Sequence, residues 1–152
     1  MSSVRIQHLY EVPALIPEVA QWIFNAFWSD KGLPDSSFLV EALGEATSSD
    51  AVPLSLVAFI DDKAVGTINL IENDDEERTH LTPWLAALWV DPKFRKQGIG
   101  SQLVLNLLAE AKRLGISELY LETHSPKFYT DLGAELIEEI SPNFFLLSFK
   151  IS

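Results

Sequence analysis

Apolar and polar positions alternate over residues 4–9, Val4-Arg-Ile-Gln-His-Leu9, as they do in a strand with one covered face. Pro13 and Pro17 end that pattern, and Pro17 suits the first turn of a helix. From there to about residue 29, Val19, Ile23, Phe24 and Phe27 recur on one side, with Trp22 and Trp28 nearby. A turn cluster at residues 30–34 follows, and Asp35 or Ser36 is placed to cap a second short helix reaching about residue 46. Residues 53–60 and 64–71 read as two strands of an antiparallel hairpin joined by Asp61, Asp62 and Lys63. Residues 85–91 are almost wholly apolar, which predicts a central strand buried on both faces. A helical period then runs over residues 98–114, with Lys112 and Arg113 in the last turn and Gly115 as its stop. Residues 116–122 read as a strand, Ser125-Pro126 opens a short helix ending at Gly133, and residues 134–140 and 143–151 close the chain as two strands. The order is α/β, an α+β mixed sheet of about seven strands. Most neighbours should be antiparallel, with one right-handed parallel crossover from the 85–91 strand through the long helix to the 116–122 strand.

Composition narrows what such a chain can do. At 152 residues it is most simply one domain spanning 1–152, and the 47% apolar fraction fits an ordinary globular protein. With no cysteine, disulfides, thiolate metal sites and a covalent thiol intermediate are excluded, and no metal site is expected. The first residues have no apolar core of a signal peptide, and no apolar run is long enough to span a bilayer, so the expected location is cytoplasmic. A net charge of −11 argues against nucleic-acid and anionic-membrane partners. It is compatible with a cationic substrate, and equally with simple solubility. Residues 72–77 hold five acids in six positions, which reads as a solvated loop or as the mouth of a substrate cleft.

Against that acidic background, three cations (Lys93, Arg95, Lys96) stand immediately before Gly98-Ile99-Gly100. A helix N-terminus offers unpaired N–H groups and the positive end of the macrodipole, and glycine lets an anion approach the backbone. A phosphate-bearing ligand is therefore expected at this turn. It is not a P-loop, because Ser101-Gln102 stands where lysine and serine or threonine are needed. Nor is it a dinucleotide fingerprint, because position 103 is leucine.

The segment Arg95-Lys-Gln-Gly-Ile-Gly100 resembles the Arg/Gln-x-x-Gly-x-Gly/Ala signature of the GNAT superfamily of acyl-CoA-dependent N-acyltransferases. Val90-Asp-Pro-Lys-Phe-Arg95 before it and Phe128-Tyr-Thr-Asp-Leu-Gly133 after the fifth strand resemble the family's neighbouring segments, and the element order covers essentially the whole chain. The resemblance implies a GNAT-like fold whose fourth and fifth strands splay apart to admit coenzyme A, here between 88–91 and 121–123. It implies that the pyrophosphate sits on the turn formed by Arg95, Lys96, Gln97, Gly98, Ile99, Gly100 and Ser101. It also implies that Leu88, Trp89 and Val90 offer backbone groups to the pantetheine, with an N–H near Val90 holding the thioester oxyanion. Tyr129 aligns with the family's frequent general acid toward the departing thiolate.

Many relatives keep a glutamate on the fourth strand. Here Trp84-Leu-Ala-Ala-Leu-Trp-Val90 has none, so Glu72 and His80 are the candidate bases, acting through water. Trp28, Trp84 and Trp89 form a candidate aromatic wall for the acceptor, and Asp30 or the acidic run a candidate seat for its ammonium. The same tryptophans suit a core or an interface, including one between two copies of the chain. The function expected from these features is transfer of an acetyl group from acetyl-CoA directly to a primary amine of a small molecule or peptide. The alternative is a non-catalytic acyl-CoA-binding or sensing module on the same fold, for which the missing strand acid speaks.

Overall fold

A computed structural model describes residues 3–151. One seven-stranded sheet runs through it in the order β1-β2-β3-β4-β5-β7-β6. Its strands are β1 (Val4–His8), β2 (Leu54–Ile60), β3 (Lys63–Ile71), β4 (Trp84–Val90), β5 (Glu118–Thr123), β6 (Glu135–Ser141) and β7 (Phe144–Lys150). Every neighbouring pair is antiparallel except β4 and β5, which are parallel and joined through the long helix. Among the described residues no helix is long and apolar enough to cross a membrane.

Helices cover both faces. The helix α1 (Ile16–Ile23) and α2 (Ser37–Gly44) lie on one side, where Val19, Ala20, Ile23 and Leu43 pack with Val57 and Phe59 of β2. On the other side α3 (Ile99–Arg113) buries Ile99, Leu103, Val104, Leu107 and Ala111 against Leu56, Ile68 and Leu85. These five positions are the helical period read from the sequence, and burying them is the main hydrophobic contribution of that face. The short α4 (Pro126–Thr130) joins the same core through Tyr129. Ser36 takes the N-cap position of α2 without a side-chain cap bond, and just before it Asp35 Oδ1 accepts the Ser37 N–H at 2.9 Å.

Two expectations are corrected. The first helix does not run on as one α-helix to residue 29; it stops at Ile23 and widens into a π-turn over Phe24–Trp28. Such a turn adds a residue per turn and rotates the positions after it, which leaves Phe27 and Trp28 exposed instead of continuing the apolar stripe. The second correction concerns β4. Its two ends are buried, but Ala86, Ala87, Leu88 and Trp89 between them are only half-buried, so the strand is not covered on both faces.

The reason is that the sheet opens beside it. The β4–β5 ladder is a single pair, Trp84↔Tyr120, supported by the Tyr120 N–H donating to Pro83 O at 3.0 Å. On its other edge β4 stays paired with β3, but with a bulge. Two steps on β3, Thr67 to Asn69, face three on β4, Trp89 to Ala86, and Ala87 takes φ +53°. A bulge bends its strand and increases local twist, which carries β4 away from β5. Gly66 sits under this bend: a Cβ there would meet the Trp89 carbonyl oxygen at 2.9 Å and Leu103 Cδ1 at 3.3 Å. Gly66→Ala should therefore push β4 off β3 and destabilise the fold by about 1–3 kcal/mol, read as a fall of several degrees in Tm. An unchanged Tm would show that the bend does not depend on this close approach.

Candidate active site at the opened strand pair

The cleft lies at the carboxyl end of β4, with a volume of about 760 Å³, within the range of small-molecule sites. Its walls are Leu88, Trp89 and Val90 of β4, the turn with Phe94, Arg95 and Lys96, the start of α3 from Gly98 to Ser101, Phe128 of α4, and Ala26 and Phe27 of the π-turn.

Each part is positioned by local chemistry. Asp91 Oδ1 accepts the Lys93 N–H at 2.9 Å, closing the tight turn Pro92–Phe94 that reverses the chain out of β4. Lys96 and Gly98 then adopt φ +64° and +82°, and Gly98 becomes the N-cap of α3. The left-handed conformation is cheap for glycine and costs another residue about 1 kcal/mol. Gln102 N donates to Gly98 O at 3.0 Å, so the amides of Ile99, Gly100 and Ser101 precede the first helical bond and point out of the helix end. Gly100 lies against the Phe128 ring, where a Cβ would make an ordinary contact at 3.4 Å from Cζ. Together these amides, the helix dipole and the cations of the turn make an anion cradle in a chain of net charge −11.

The β4 backbone has a defined polarity at the cleft. Asp91 N donates to Val65 O across β3 at 2.8 Å. One peptide back in an extended strand, Val90 turns its N–H and C=O to the opposite edge, toward the gap. Arg95 Nε donates to the Val90 carbonyl at 2.7 Å, so the arginine side chain is anchored by one donor and keeps its remaining N–H groups for an anion. The Val90 N–H is left as a donor facing the gap. Behind the bulge, Ser55 Oγ donates to Asn69 Oδ1 at 2.6 Å, and Asn69 Nδ2 reaches Ala87 O at 3.5 Å, so two buried polar side chains hold the bulged peptide from the β3 side.

Most of the residues expected at the coenzyme turn line the cleft: Leu88, Trp89, Val90, Arg95, Lys96, Gly98, Ile99, Gly100 and Ser101 do so, while Gln97 does not. Tyr129 stands one residue behind the wall that Phe128 makes. It is 9% exposed, edge-on to Phe128 at 4.9 Å, and burial pushes its phenol up to about 12.

The acceptor residues are scattered. Trp84 is fully enclosed, its Nε1–H donating to Leu81 O at 2.8 Å, so it presents no face to a substrate. Trp89 stacks on Trp22 of α1 with centroids 4.8 Å apart, while Trp28 meets Phe38 edge-on at 5.2 Å. The three tryptophans therefore do not make one wall. Asp30 is exposed on the turn after the π-turn and is not part of the cleft. Glu72 and His80 are exposed in the β3–β4 loop. Since Ile71 pairs with Trp84, Glu72 leaves the sheet at the end where β4 and β5 are still joined, about 10 Å along the strand from Ala87.

A residue that sequence reading missed stands on β5. Glu122 is half-buried, its Oε2 is enclosed without a hydrogen-bond partner among the described residues, and its carboxyl is pushed up to about 8. Burial is the main cause, followed by the hydrogen bond and the negative charge of Asp75. The only signal in the sequence is an acid following a core leucine near a strand end, which ordinarily reads as the solvent face. Among the described residues no group of three or more histidines, cysteines or acids is arranged to hold a metal ion.

The fold and this turn define an acyltransferase architecture, and comparison with known proteins agrees. The family model described as the acetyltransferase (GNAT) family matches residues 17–134, and the chain belongs to that family. Among solved structures, the chain is similar to an aminoglycoside 6'-N-acetyltransferase complexed with coenzyme A, at 18% identity, TM-score 0.77 and 97% coverage of both chains. It is similar to the PaiA N-acetyltransferase of Thermoplasma acidophilum in complex with coenzyme A, at 23% identity and TM-score 0.65, covering 97% of this chain and 99% of that one. It is also similar to YncA, a putative acetyltransferase from Salmonella typhimurium with acetyl-CoA, at 15% identity and TM-score 0.74, covering 98% and 94%. No curated protein matches.

Asn69→Ala should remove the hold on Ala87 O and leave Ser55 without its partner, at a cost of about 1–3 kcal/mol. Thermal unfolding should show the loss, and hydrogen exchange should be faster at residues 86–88 than elsewhere in β4. Uniformly unchanged exchange would mean that the bulge is held by packing alone.

Proposed function

We propose that this chain transfers an acetyl group from acetyl-CoA directly to a primary amine. The observation that carries the reading is the coincidence, in one cleft, of an open parallel strand pair with the glycine-opened, cation-lined start of α3. The residues fit the donor molecule. The amides of Ile99, Gly100 and Ser101, with Arg95 and Lys96, suit a pyrophosphate. The exposed edge of β4 at Leu88 and Val90 suits an extended pantetheine chain that pairs as a strand would. The Val90 N–H suits the oxygen of a thioester whose carbonyl acquires negative charge as an amine attacks. Direct transfer in a ternary complex is supported by the absence of cysteine as a covalent carrier. Acetyl as the acyl group, and the cytoplasm as the place where the donor is met, follow from the same reading.

Tyr129 is proposed to hand its proton to the departing thiolate. Its high pKa keeps the phenol protonated throughout the neutral range, which suits a donor, while making complete transfer to a thiol near 8.5 uphill. The role is therefore donation as charge develops on sulfur. The acceptor side carries less information. The structural similarity to an aminoglycoside acetyltransferase makes kanamycin one useful probe, alongside spermidine, lysine and a short peptide with a free N-terminus.

Calorimetry should show acetyl-CoA binding, weakened about tenfold in Arg95→Ala through loss of a charged hydrogen-bond donor. No binding at millimolar concentration would remove the coenzyme from the site. With the four amines, thiol release should identify an acceptor. Tyr129→Phe should then lower kcat by about 100-fold while leaving acetyl-CoA affinity nearly intact. An unchanged kcat would return Tyr129 to the core as a packed aromatic. Binding without thiol release from any amine would favour the non-catalytic acyl-CoA module instead.

A further inference from the structure

The β4 strand offers no acid, and Glu72 and His80 leave the sheet at its closed end. An acid does stand on β5, the strand across the gap, outside the residues that line the cleft itself. The single parallel pair Trp84↔Tyr120 sets the register between β4 and β5. Two residues farther along both strands, Glu122 stands at the level of Ala86, one residue before the bulged Ala87. Glu122 pairs with Leu146 of β7, which pairs with Glu138 of β6. Partners across a ladder share a face, so these three lie on the side away from the core packed by Leu121 and Leu147.

The acidic loop folds over that same face. Asp75 stands beside Glu122, and its charge raises the Glu122 carboxyl. Arg78 binds Asp75 Oδ2 at 2.9 Å and Glu138 Oε1 at 3.3 Å, bracing the loop against β6. Glu122 thus has one carboxyl oxygen enclosed beside Asp75 at the edge of the opened strand pair. The charged groups facing it are Asp74, Asp75 and Arg78 from the loop, and Glu138 from β6 by way of Arg78. From β4 and β7 it meets only uncharged residues.

We propose that Glu122 is the general base of the transfer, taking the proton from the acceptor's ammonium, with Asp75, braced by Arg78, as its positioning residue. This rests on the acetyl-transfer reading. In the step, an N–H bond of the ammonium breaks and its proton goes to the Glu122 carboxylate. The nitrogen lone pair then attacks the thioester carbon, forming the C–N bond while the carbonyl π pair moves to oxygen. The oxygen pair then re-forms the carbonyl as the C–S bond breaks, and sulfur leaves with that bond's electron pair and receives the Tyr129 proton. The second nitrogen proton restores the phenol, and Glu122 releases the first to water. The products are the amide, coenzyme A as its thiol, and one proton.

The carboxyl's raised affinity for a proton suits this use. A group titrating at about 8 is a stronger base toward an amine than an ordinary carboxylate, though at neutral pH it is mostly protonated until the substrate arrives. An ammonium arriving beside it stabilises the charged form and frees the base when the substrate is present.

The test is thiol release between about pH 6 and 9.5 with the fastest amine of the panel, for the wild type, Glu122→Gln and Asp75→Asn. The wild-type kcat/KM should rise with pH through about 8, because the deprotonated carboxyl is the active form. Glu122→Gln should lower kcat by about 100-fold or more, with KM changed less than about threefold, and should lose that limb. Asp75→Asn, which removes a neighbouring negative charge, should move the limb to lower pH. Thermal melts and acetyl-CoA calorimetry of each variant separate misfolding from loss of the base. A Glu122→Gln enzyme that keeps its rate and its limb overturns the base while leaving acetyl transfer intact. Independently of turnover, a 13C carboxyl NMR titration assigned with Glu122→Gln should show a glutamate titrating well above the ordinary range, and one titrating below about 5 overturns the proposal. A wild type that binds acetyl-CoA but releases no thiol with any amine overturns the transfer reading, and the base with it.

Discussion

Everything distinctive in this molecule depends on a parallel strand pair that is allowed one rung. A sheet interrupted at its centre exposes backbone donors and acceptors that would ordinarily be paired, a cost that a stable domain must offset nearby. The offset is visible on both sides of the break. β4 keeps its ladder with β3, and β5 keeps six paired positions with β7, so each half of the sheet is complete up to the gap. The bulge at Ala87 then directs the opening, and its strained φ is held by Asn69 from behind, by Gly66 allowing β3 to come close, and by Trp89 stacked on Trp22.

The opening also sorts charge. The carboxyl end of β4 carries the amides of α3 with Lys93, Arg95 and Lys96, the one basic turn of a strongly acidic chain. The β5 side carries Glu122 under Asp75 and Asp74. On the proposed reading, the basic turn would draw the anionic donor and the acidic β5 side the cationic acceptor, with repulsion from the chain's net charge overcome locally by donors aimed at the anion. The tether from Arg95 to Val90 O joins the two tasks, because the side chain that prepares the anion cradle also occupies the carbonyl next to the Val90 N–H.

Local features are legible in the sequence. The period of Ile99, Leu103, Val104, Leu107 and Ala111, the Gly98 entry and the Gly115 exit concern a few neighbouring residues, and the structure places α3 where they put it. The mostly antiparallel sheet of about seven strands and the single parallel crossover come from connection lengths and also hold. The features that escape the sequence depend on pairing between distant segments. The apolar run of β4 implies two covered faces, since nothing within it reveals that its β5 neighbour departs after Trp84. An aromatic beside an acidic loop, such as Trp84, is ambiguous until the loop's path is known, and here Leu81 and Tyr120 enclose it. Glu122 escapes notice for the converse reason: alternation assigns it to solvent, and only the return of residues 72–83 over β5 covers it.

That return gives the acidic run a structural meaning that composition could not. Five acids in six positions repel one another and favour an extended, solvated loop. Arg78, three residues on from Asp75, draws the segment back by pairing with Asp75 and Glu138, and so sets one carboxylate of the run against Glu122. Like charges in contact cannot all remain ionised, and the proton held there is the price of the arrangement. An acid placed on β4 itself would occupy the strand whose edge is proposed to serve the thioester. With the proposed base across the gap, β4 would act through its backbone alone, which fits a stretch of Ala86, Ala87 and Leu88 with no ionisable side chain. On the proposed mechanism, the missing acid of β4 and the crowded acid of β5 are one arrangement, in which the two strands would divide the reaction between a backbone donor and a side-chain base.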